Sequence, residues 1–207
     1  VIYVINPYSQ YFSRAKKVWS FVKFVYKSIR EASKEKDVDI VYATSTPLTI
    51  GFVALVLKWY KGWKYVFEVR DLWPEFPIQV GAIRNKALIW LLRKLEKKIY
   101  DKAEHVVALS PGMVEGVLKT GQPQSKVSMI PNMSKPDAVY PHDVPEGAWE
   151  KYGIDPTKFN VCHLGSMGVA NGLTYITDAA EILKKKGVDD VHFIMVGDGA
   201  TKPMLTE

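Results

Sequence analysis

The sequence predicts an α/β protein built as two parallel-sheet domains, and three observations carry that expectation. Short runs rich in β-branched and aromatic residues alternate with segments of helical period, the arrangement that βαβ units produce. One stretch crowded with proline and aspartate, PNMSKPDAVYPHDVPEGAWEKYGIDP from Pro131 to Pro156, interrupts this alternation and reads as a linker. The composition, 47% hydrophobic and 24% charged over 207 residues, provides for one large or two modest cores and excludes a disordered chain.

From the amino terminus, VIYVI (1–5) is the first strand expected. A helix over 14–32 follows, with Val18, Phe21, Val22, Val25 and Ile29 on one face and Phe24 beside Lys23 and Lys27 on the other. DIVYA (39–43), a helix over 47–60 and KYVFEV (64–69) continue the alternation. In the helix over 85–101, Leu88, Leu91, Leu92, Leu95 and Ile99 form the expected core stripe, and Trp90 falls outside with Arg93, Lys94 and Lys97. HVVAL (105–109), a helix over 111–119 with Ser110 as N-cap and Pro111 in its first turn, and KVSMI (126–130) complete the first domain. Beyond the linker come FNVCHL (159–164), a helix over 173–186 and VHFIMV (191–196). The expected division is 1–132, a linker over 133–157 with a short helix at 146–152, and 158–207. The first domain is expected to lack its opening βα unit and the second to be cut short.

Composition and punctuation also bear on function. No apolar run approaches the roughly 20 residues of a membrane span, and no signal-peptide pattern opens the chain. Cys162 alone forms no intrachain disulfide and is expected to be a small buried hydrophobe, so a cytoplasmic location is expected. A net charge of +6 favours an acidic partner, either nucleotide phosphate, an anionic membrane surface or nucleic acid. The scattering of Lys and Arg over several helices and the lack of a recognition motif argue against nucleic acid. His105, His142, His163 and His192 have no metal-ligand spacing, and ALSPGM lacks the G-x-S-x-G of a hydrolase elbow.

Two stretches carry the chemistry. VCHLGSMGVANGL sets Gly165, Gly168 and Gly172 between a strand and a helix, where unpaired N–H groups and the helix dipole suit an anion. Its spacing is neither the dinucleotide fingerprint nor the P-loop. The next strand ends in GDG at 197–199, opening a second turn at the same sheet edge, with Asp198 either a ribose ligand or a helix cap. The other stretch, VFEVRDLWPEFPIQ, interleaves Arg70, Asp71 and Glu75 with Trp73, Pro74, Phe76 and Pro77. The carboxylates suit a base, a hydrogen-bond acceptor or a sugar-hydroxyl ligand, and Arg70 suits a phosphate.

EVRDLWPE (68–75), ALSPGM (108–113), IPNM (130–133), GSMGVANGL (165–173) and VGDGA (196–200) stand in an order that resembles glycosyltransferase family 4, enzymes of the GT-B fold, in particular the branch that builds capsule, O-antigen and colanic-acid-type polysaccharides. The resemblance implies two Rossmann-like domains facing each other across a cleft and retaining transfer from a nucleoside-diphosphate sugar, expected to be a UDP-sugar. The implied acceptor is a lipid-linked glycan at the inner face of the cytoplasmic membrane, with peripheral contact to anionic lipid and without nucleic acid, metal or other cofactor. It implies donor binding by Gly165, Ser166, Gly168, Asn171 and Gly172, with Gly197, Asp198 and Gly199 near the nucleotide. Arg70, Asp71 and Glu75 are the implied catalytic group, Arg70 standing where many relatives carry histidine, and Asn132 marks the interdomain crossing. The family's glycine-rich acceptor loop and Glu-x7-Glu segment are not in this sequence, so turnover by this chain alone is not expected. A sugar-nucleotide-binding scaffold and an NAD(P)-dependent oxidoreductase are the competing readings.

Overall fold

The computed structural model describes residues 2–9, 12–137 and 139–206. The chain divides into two compact units, Val1–Met133 and Ser134–Glu207. Unit 1 runs α1 (Arg14–Ala32), β1 (Ile40–Thr44), α2 (Thr49–Lys61), β2 (Lys64–Val69), α3 (Glu75–Gln79), α4 (Lys86–Lys102), β3 (His105–Ala108), α5 (Pro111–Lys119) and β4 (Val127–Met129). Its strands form a parallel sheet in chain order, with Val66 opposite both Tyr42 and His105. Sequential parallel strands joined by right-handed crossovers put α2, α4 and α5 on one face. Burial agrees: along β2, Tyr65, Phe67 and Val69 are buried with Ile99 and Tyr100 of α4, while Tyr42 of β1 is exposed. The Tyr65 hydroxyl donates to the Ile99 carbonyl (2.5 Å), fixing β2 against α4. The cap expected at Ser110 is formed, its Oγ accepting from Met113 N (3.3 Å), and Asn85 Oδ1 caps α4 by accepting from Leu88 N (3.0 Å).

Three expectations for this unit are corrected. Val1 lies outside the described residues, and Ile2–Ile5 form no strand; Ile2, Tyr3 and Ile5 are exposed. An apolar run becomes a strand only where a neighbour supplies the ladder, and here side chains of α1 hold the segment instead. Asn6 Nδ2 donates to Ser20 O (3.1 Å) and Ser20 Oγ (2.8 Å), and Lys27 Nζ donates to Ile5 O (2.7 Å). These bonds turn Ser20 inward, so Phe24 is half-buried and Val18 and Val22 are exposed, the reverse of their expected placement. In α4 the inward face is Ile89, Leu92, Leu95, Glu96, Ile99 and Tyr100, turned from the expected stripe so that Leu88 and Leu91 are exposed.

Unit 2 contains α6 (Ala148–Tyr152), β5 (Phe159–Leu164), α7 (Thr174–Lys185), β6 (Val191–Val196) and α8 (Lys202–Leu205), with β5 and β6 paired in parallel. Its core is thin, with Met167 and Leu173 its buried hydrophobic residues among those described. Cys162 is exposed, not buried, since a strand with a single described neighbour has little to cover it. Among the described residues no helix is long and apolar enough to cross a membrane.

Candidate functional site

The candidate residues fall into two groups, one in each unit. In unit 1 they lie at the carboxyl edge of the sheet, where parallel α/β proteins place their ligands. Ser45, just past β1, is buried; its N–H donates to Glu68 O (2.9 Å) and its hydroxyl accepts from Arg70 N (2.9 Å). The Arg70 guanidinium reaches over the edge, Nη2 donating to Asn132 Oδ1 (3.2 Å) and Nη1 standing 3.8 Å from Glu68 Oε1. Next to it Thr46 Oγ1 donates to Asp71 Oδ2 (2.6 Å). Arg70 and Asn132 therefore share a network with Ser45 and Glu68, and Asp71 is held next to it by Thr46; sequence reasoning passed over Ser45 and Thr46. The signal was the hydroxyl pair in ATSTPL, two polar residues between a strand and a proline-started helix.

The stretch after Asp71 is not a loop throughout. Pro74 and Pro77 are buried, Leu72 and Trp73 pack on the core, and α3 begins at Glu75. Gly116 of α5 makes room for this: a Cβ there would lie 2.6 Å from Leu72 Cδ1. Proline and tryptophan act here as anchors that hold Asp71 at the rim. Asp71 and Glu75 both line a recess of about 360 Å³ with Ser110, Gly112 and Met113. Both oxygens of the Glu75 carboxylate are occupied, Oε2 by Arg93 Nη2 (3.1 Å) and Oε1 by Gln79 Nε2 (3.2 Å), whereas Asp71 accepts from Thr46 through Oδ2. A neighbouring recess of about 620 Å³ shares Leu72, Glu75, Gln79 and Gly112 and has Glu96 in its wall. Glu96 is 8% exposed and accepts from the Tyr100 hydroxyl (3.2 Å). Burial pushes its carboxyl up to about 7, against the opposing pull of the Tyr100 bond and Arg93.

In unit 2 the two glycine turns touch through their main chains. Gly165 N donates to Val196 O (3.0 Å) and Met167 N to Asp198 O (2.9 Å), while Thr201 N and Oγ1 both donate to Met167 O (3.0 and 2.7 Å). A Cβ at Gly197 would lie 1.8 Å from Gly165 O, and one at Gly199 would lie 2.4 Å from Met167 O. Both positions need glycine for this contact alone. Asn171 Nδ2 donates to the carbonyl and hydroxyl oxygens of Ser166, fixing the first turn from inside. Gly168 differs: φ is −92°, which any residue adopts, and nothing lies within 4 Å of the position of a Cβ. Gly172 ends a short 3₁₀ turn, Val169–Asn171, at φ 58°. The helix α7 has no side-chain cap, and its Tyr175 and Ile176 N–H groups are bonded to Gly172 O (3.1 Å) and Leu173 O (3.0 Å). Gly168 is half-buried, its carbonyl accepting from Asn171 N (3.0 Å), and Val169 beside it is exposed. Asp198 does not cap α8, whose N-cap is Thr201; its Oδ1 accepts from Gly199 N (2.9 Å). Among the described residues no group of three His, Cys, Asp or Glu side chains is placed to hold a metal ion.

The sequence profile described as "Glycosyl transferase 4-like domain" matches residues 4–133. The chain is 25% identical over 183 residues to the probable glycosyltransferase WbjE of Pseudomonas aeruginosa, covering 87% of this chain and 44% of that protein. It is 23% identical over 100 residues to alpha-galactosylglucosyldiacylglycerol synthase of Streptococcus pneumoniae, covering 48% and 23%. Anabaena HepE, solved in complex with UDP and glucose, matches with a TM-score of 0.54 at 14% identity over 84% of this chain and 51% of its own. Sucrose-phosphate synthase of Thermosynechococcus elongatus matches with a TM-score of 0.57 at 13% identity over 90% and 52%. At these identities the structural likeness concerns the fold. The chain spans about half the length, or less, of the proteins it matches.

Proposed function

The chain belongs to the glycosyl transferase 4-like family and has the α/β fold with parallel sheets of GT-B glycosyltransferases, and from that premise we propose that the protein serves sugar transfer from a UDP-sugar to a lipid-linked glycan acceptor in cell-surface polysaccharide synthesis. The proposal includes retention at the anomeric carbon, a hexosyl or N-acetylhexosaminyl group, and work at the inner face of the cytoplasmic membrane. The name of WbjE as a probable glycosyltransferase and the UDP held by HepE support the reaction class and the donor.

One observation carries the donor assignment: two glycine turns locked together by main-chain bonds leave Gly168 facing open space at the carboxyl end of β5. A diphosphate approaching there meets main chain without side-chain obstruction, beside the positive end of α7. Gly165, Ser166, Gly168, Asn171 and Gly172 shape that turn, and Gly197, Asp198 and Gly199 brace it. In the reaction the bond from the anomeric carbon to the diphosphate breaks and a bond to the acceptor oxygen forms as that hydroxyl loses its proton. Asp71, held by Thr46 through Oδ2, is the group proposed to receive the proton of that hydroxyl. Arg70, fixed by Asn132 and Glu68, presents positive charge to an acceptor phosphate, and Glu75 contributes to the wall of the acceptor recess.

Calorimetric titration with UDP and with NAD tests the reading. Saturable UDP binding and no NAD binding are expected. Binding of NAD in preference to UDP, or of neither, refutes it. UDP binding by this chain, with no UDP released from any UDP-sugar by a complete enzyme that contains it, turns the reading to a sugar-nucleotide-binding role.

A further inference from the structure

The outer face of α2 has features that neither proposed site uses. From Thr49 to Leu57 the helix carries no charged residue, and a helix apolar on every side needs cover on every side. Inward, Gly51, Val53, Ala54 and Leu57 are buried, with Gly51 so tight that a Cβ there would lie 2.7 Å from Ile99 Cδ1. Outward, Phe52, Leu55, Val56 and Trp59 share the opposite face at i, i+3, i+4 and i+7, and Phe52 is 41% and Trp59 85% exposed. With Leu95 of α4 these four line a recess of about 360 Å³ between the two helices. The rest of its wall is Lys58, Lys98 and Lys102, with no acidic side chain among the lining residues. Lys58 is engaged, its Nζ 2.8 Å from both Glu104 Oε1 and Lys102 O. Lys98 and Lys102, one turn apart on α4, have no carboxylate partner among the described residues.

We propose that this recess seats an acidic amphipathic helix of a partner protein, its apolar stripe laid along Phe52, Leu55, Val56 and Trp59 and its carboxylates against Lys98 and Lys102. The spacing of the four apolar residues is the one at which a helix in a groove is read, and from Phe52 to Trp59 it offers about 10 Å, two turns, of contact. Charge decides against a second copy. Two-fold pairing would set the recess against itself and bring Lys98 and Lys102 onto their own equivalents, with no carboxylate in the lining to relieve them. Shape decides against a lipid surface: Leu55 and Val56 are half-buried in the recess, where a narrow helix reaches and a flat layer does not. The inference concerns unit 1 alone and does not depend on sugar transfer.

The chain contains its own control. Trp90 is 61% exposed and its ring centre lies 5.0 Å from Lys94 Nζ, but neither residue lines the recess. If any exposed aromatic beside a lysine attracted an acidic helix, Trp90 would serve as Trp59 does; seating in the recess makes Trp90 indifferent.

The probe is a labelled synthetic peptide of about 18 residues, long enough to hold a helix, with leucine at i, i+3, i+4 and i+7 along one face, glutamate on the flanks and alanine elsewhere. Its twin has lysine for every glutamate. Fluorescence anisotropy should show saturable binding of the glutamate peptide, weakening in high salt, and at least about tenfold weaker binding of the twin. Phe52→Gln with Trp59→Gln should reduce binding about tenfold or more. Lys98→Glu with Lys102→Glu should reduce it at least about fivefold and favour the twin instead, and Trp90→Gln should leave it unchanged. Circular dichroism verifies that each variant stays folded. No binding of the glutamate peptide, equal binding of the two peptides, unchanged binding by both recess variants, or loss with Trp90→Gln overturns the proposal. Conversion of a dimer to a monomer by the Phe52 and Trp59 double variant, without peptide, assigns the recess to a second copy and also overturns it. So does loss of sedimentation with phosphatidylglycerol vesicles in that variant, which assigns the recess to a lipid surface. Binding by this chain but not by a complete enzyme that contains it shows that the rest of that enzyme fills the recess, and overturns the proposal as well.

Discussion

The carboxyl edge of the unit 1 sheet and the glycine turns of unit 2 are both strand-end sites, built in opposite ways. The first consists of side chains tied to one another: Ser45 to Arg70, Arg70 to Asn132, Thr46 to Asp71, all above buried Pro74 and Pro77. The second consists of side chains left out, so that the backbone of 197–199 lies against that of 165–167. A side-chain network can be adjusted one bond at a time and carries charge that titrates. A backbone contact has no such grading: it forms or it fails, and it is indifferent to pH. The two sites should therefore fail differently.

The largest effect is expected where the backbones meet. Gly197→Ala puts a methyl group where 1.8 Å separates it from Gly165 O, and Gly199→Ala puts one 2.4 Å from Met167 O. Neither neighbour is a flexible side-chain end that can swing away, so the turns must part and Met167 loses its cover. With so thin a core, a loss above about 4 kcal/mol is expected, enough to unfold unit 2. Urea titration followed by circular dichroism reads it. Melting like the original protein would show that the contact does not decide these glycines.

Gly168→Val comes next and sharpens the comparison within the same turn. Its backbone suits any residue and its surroundings are open, so the urea midpoint should not move while UDP affinity falls by a factor on the order of 100 or more. Unchanged UDP affinity would remove Gly168 from the donor site. Three glycines that look alike in sequence thus separate into two that serve packing and one that leaves space.

The third prediction concerns pH and should touch unit 1 alone. Burial raises the Glu96 carboxyl to about 7 from an ordinary value of 4.5, with Arg93, Glu75 and Tyr100 as the ionisable groups facing it. A group raised in the folded state binds its proton more tightly there than in the unfolded chain. Stability is then full below about pH 4.5 and is lost as pH rises through 7, by up to about 3 kcal/mol. Glu96→Gln, which keeps an oxygen for the Tyr100 hydroxyl, should abolish this component of the change between pH 5 and pH 8. An identical pH dependence in protein and variant would show that Glu96 is ionised without penalty.

How much of this was legible depends on what fixes each feature. Strands 64–69, 159–164 and 191–196 and the helices of 14–32 and 111–119 are written locally, in period and caps, and stand where the sequence puts them. The strand expected at 1–5 failed because pairing needs a partner that no local pattern reveals. The facing of α1 failed because Asn6, from outside the helix, draws Ser20 inward. Glu96 escaped notice because its charge hid its place on the buried face, although Tyr100 four residues on was a visible partner. Arg70, Asp71 and the glycine turns stood out by composition, but Ser45 and Thr46, which position the first two, are ordinary hydroxyl residues that only the folded sheet edge brings to them.

The smallest expected effect concerns that edge. Asp71→Asn keeps the shape of the side chain and an oxygen for Thr46 Oγ1 (2.6 Å in the present pair), so neither stability nor UDP affinity should change. What it removes is the charge needed to draw a proton from the acceptor hydroxyl. In a complete enzyme that contains this chain, UDP release from UDP-glucose in the presence of bacterial membranes as acceptor source should fall about tenfold to a hundredfold. Thr46→Val separates positioning from charge. It frees Asp71 from its hydroxyl partner but leaves the carboxylate, so release should fall only about fivefold, the worth of one modest hydrogen bond. A fall in UDP affinity for Asp71→Asn that matches the fall in release would move Asp71 from the acceptor side to donor binding. Normal release in both variants would leave the network of unit 1 as a strut for the sheet edge, and the two sites would then differ in function as well as construction.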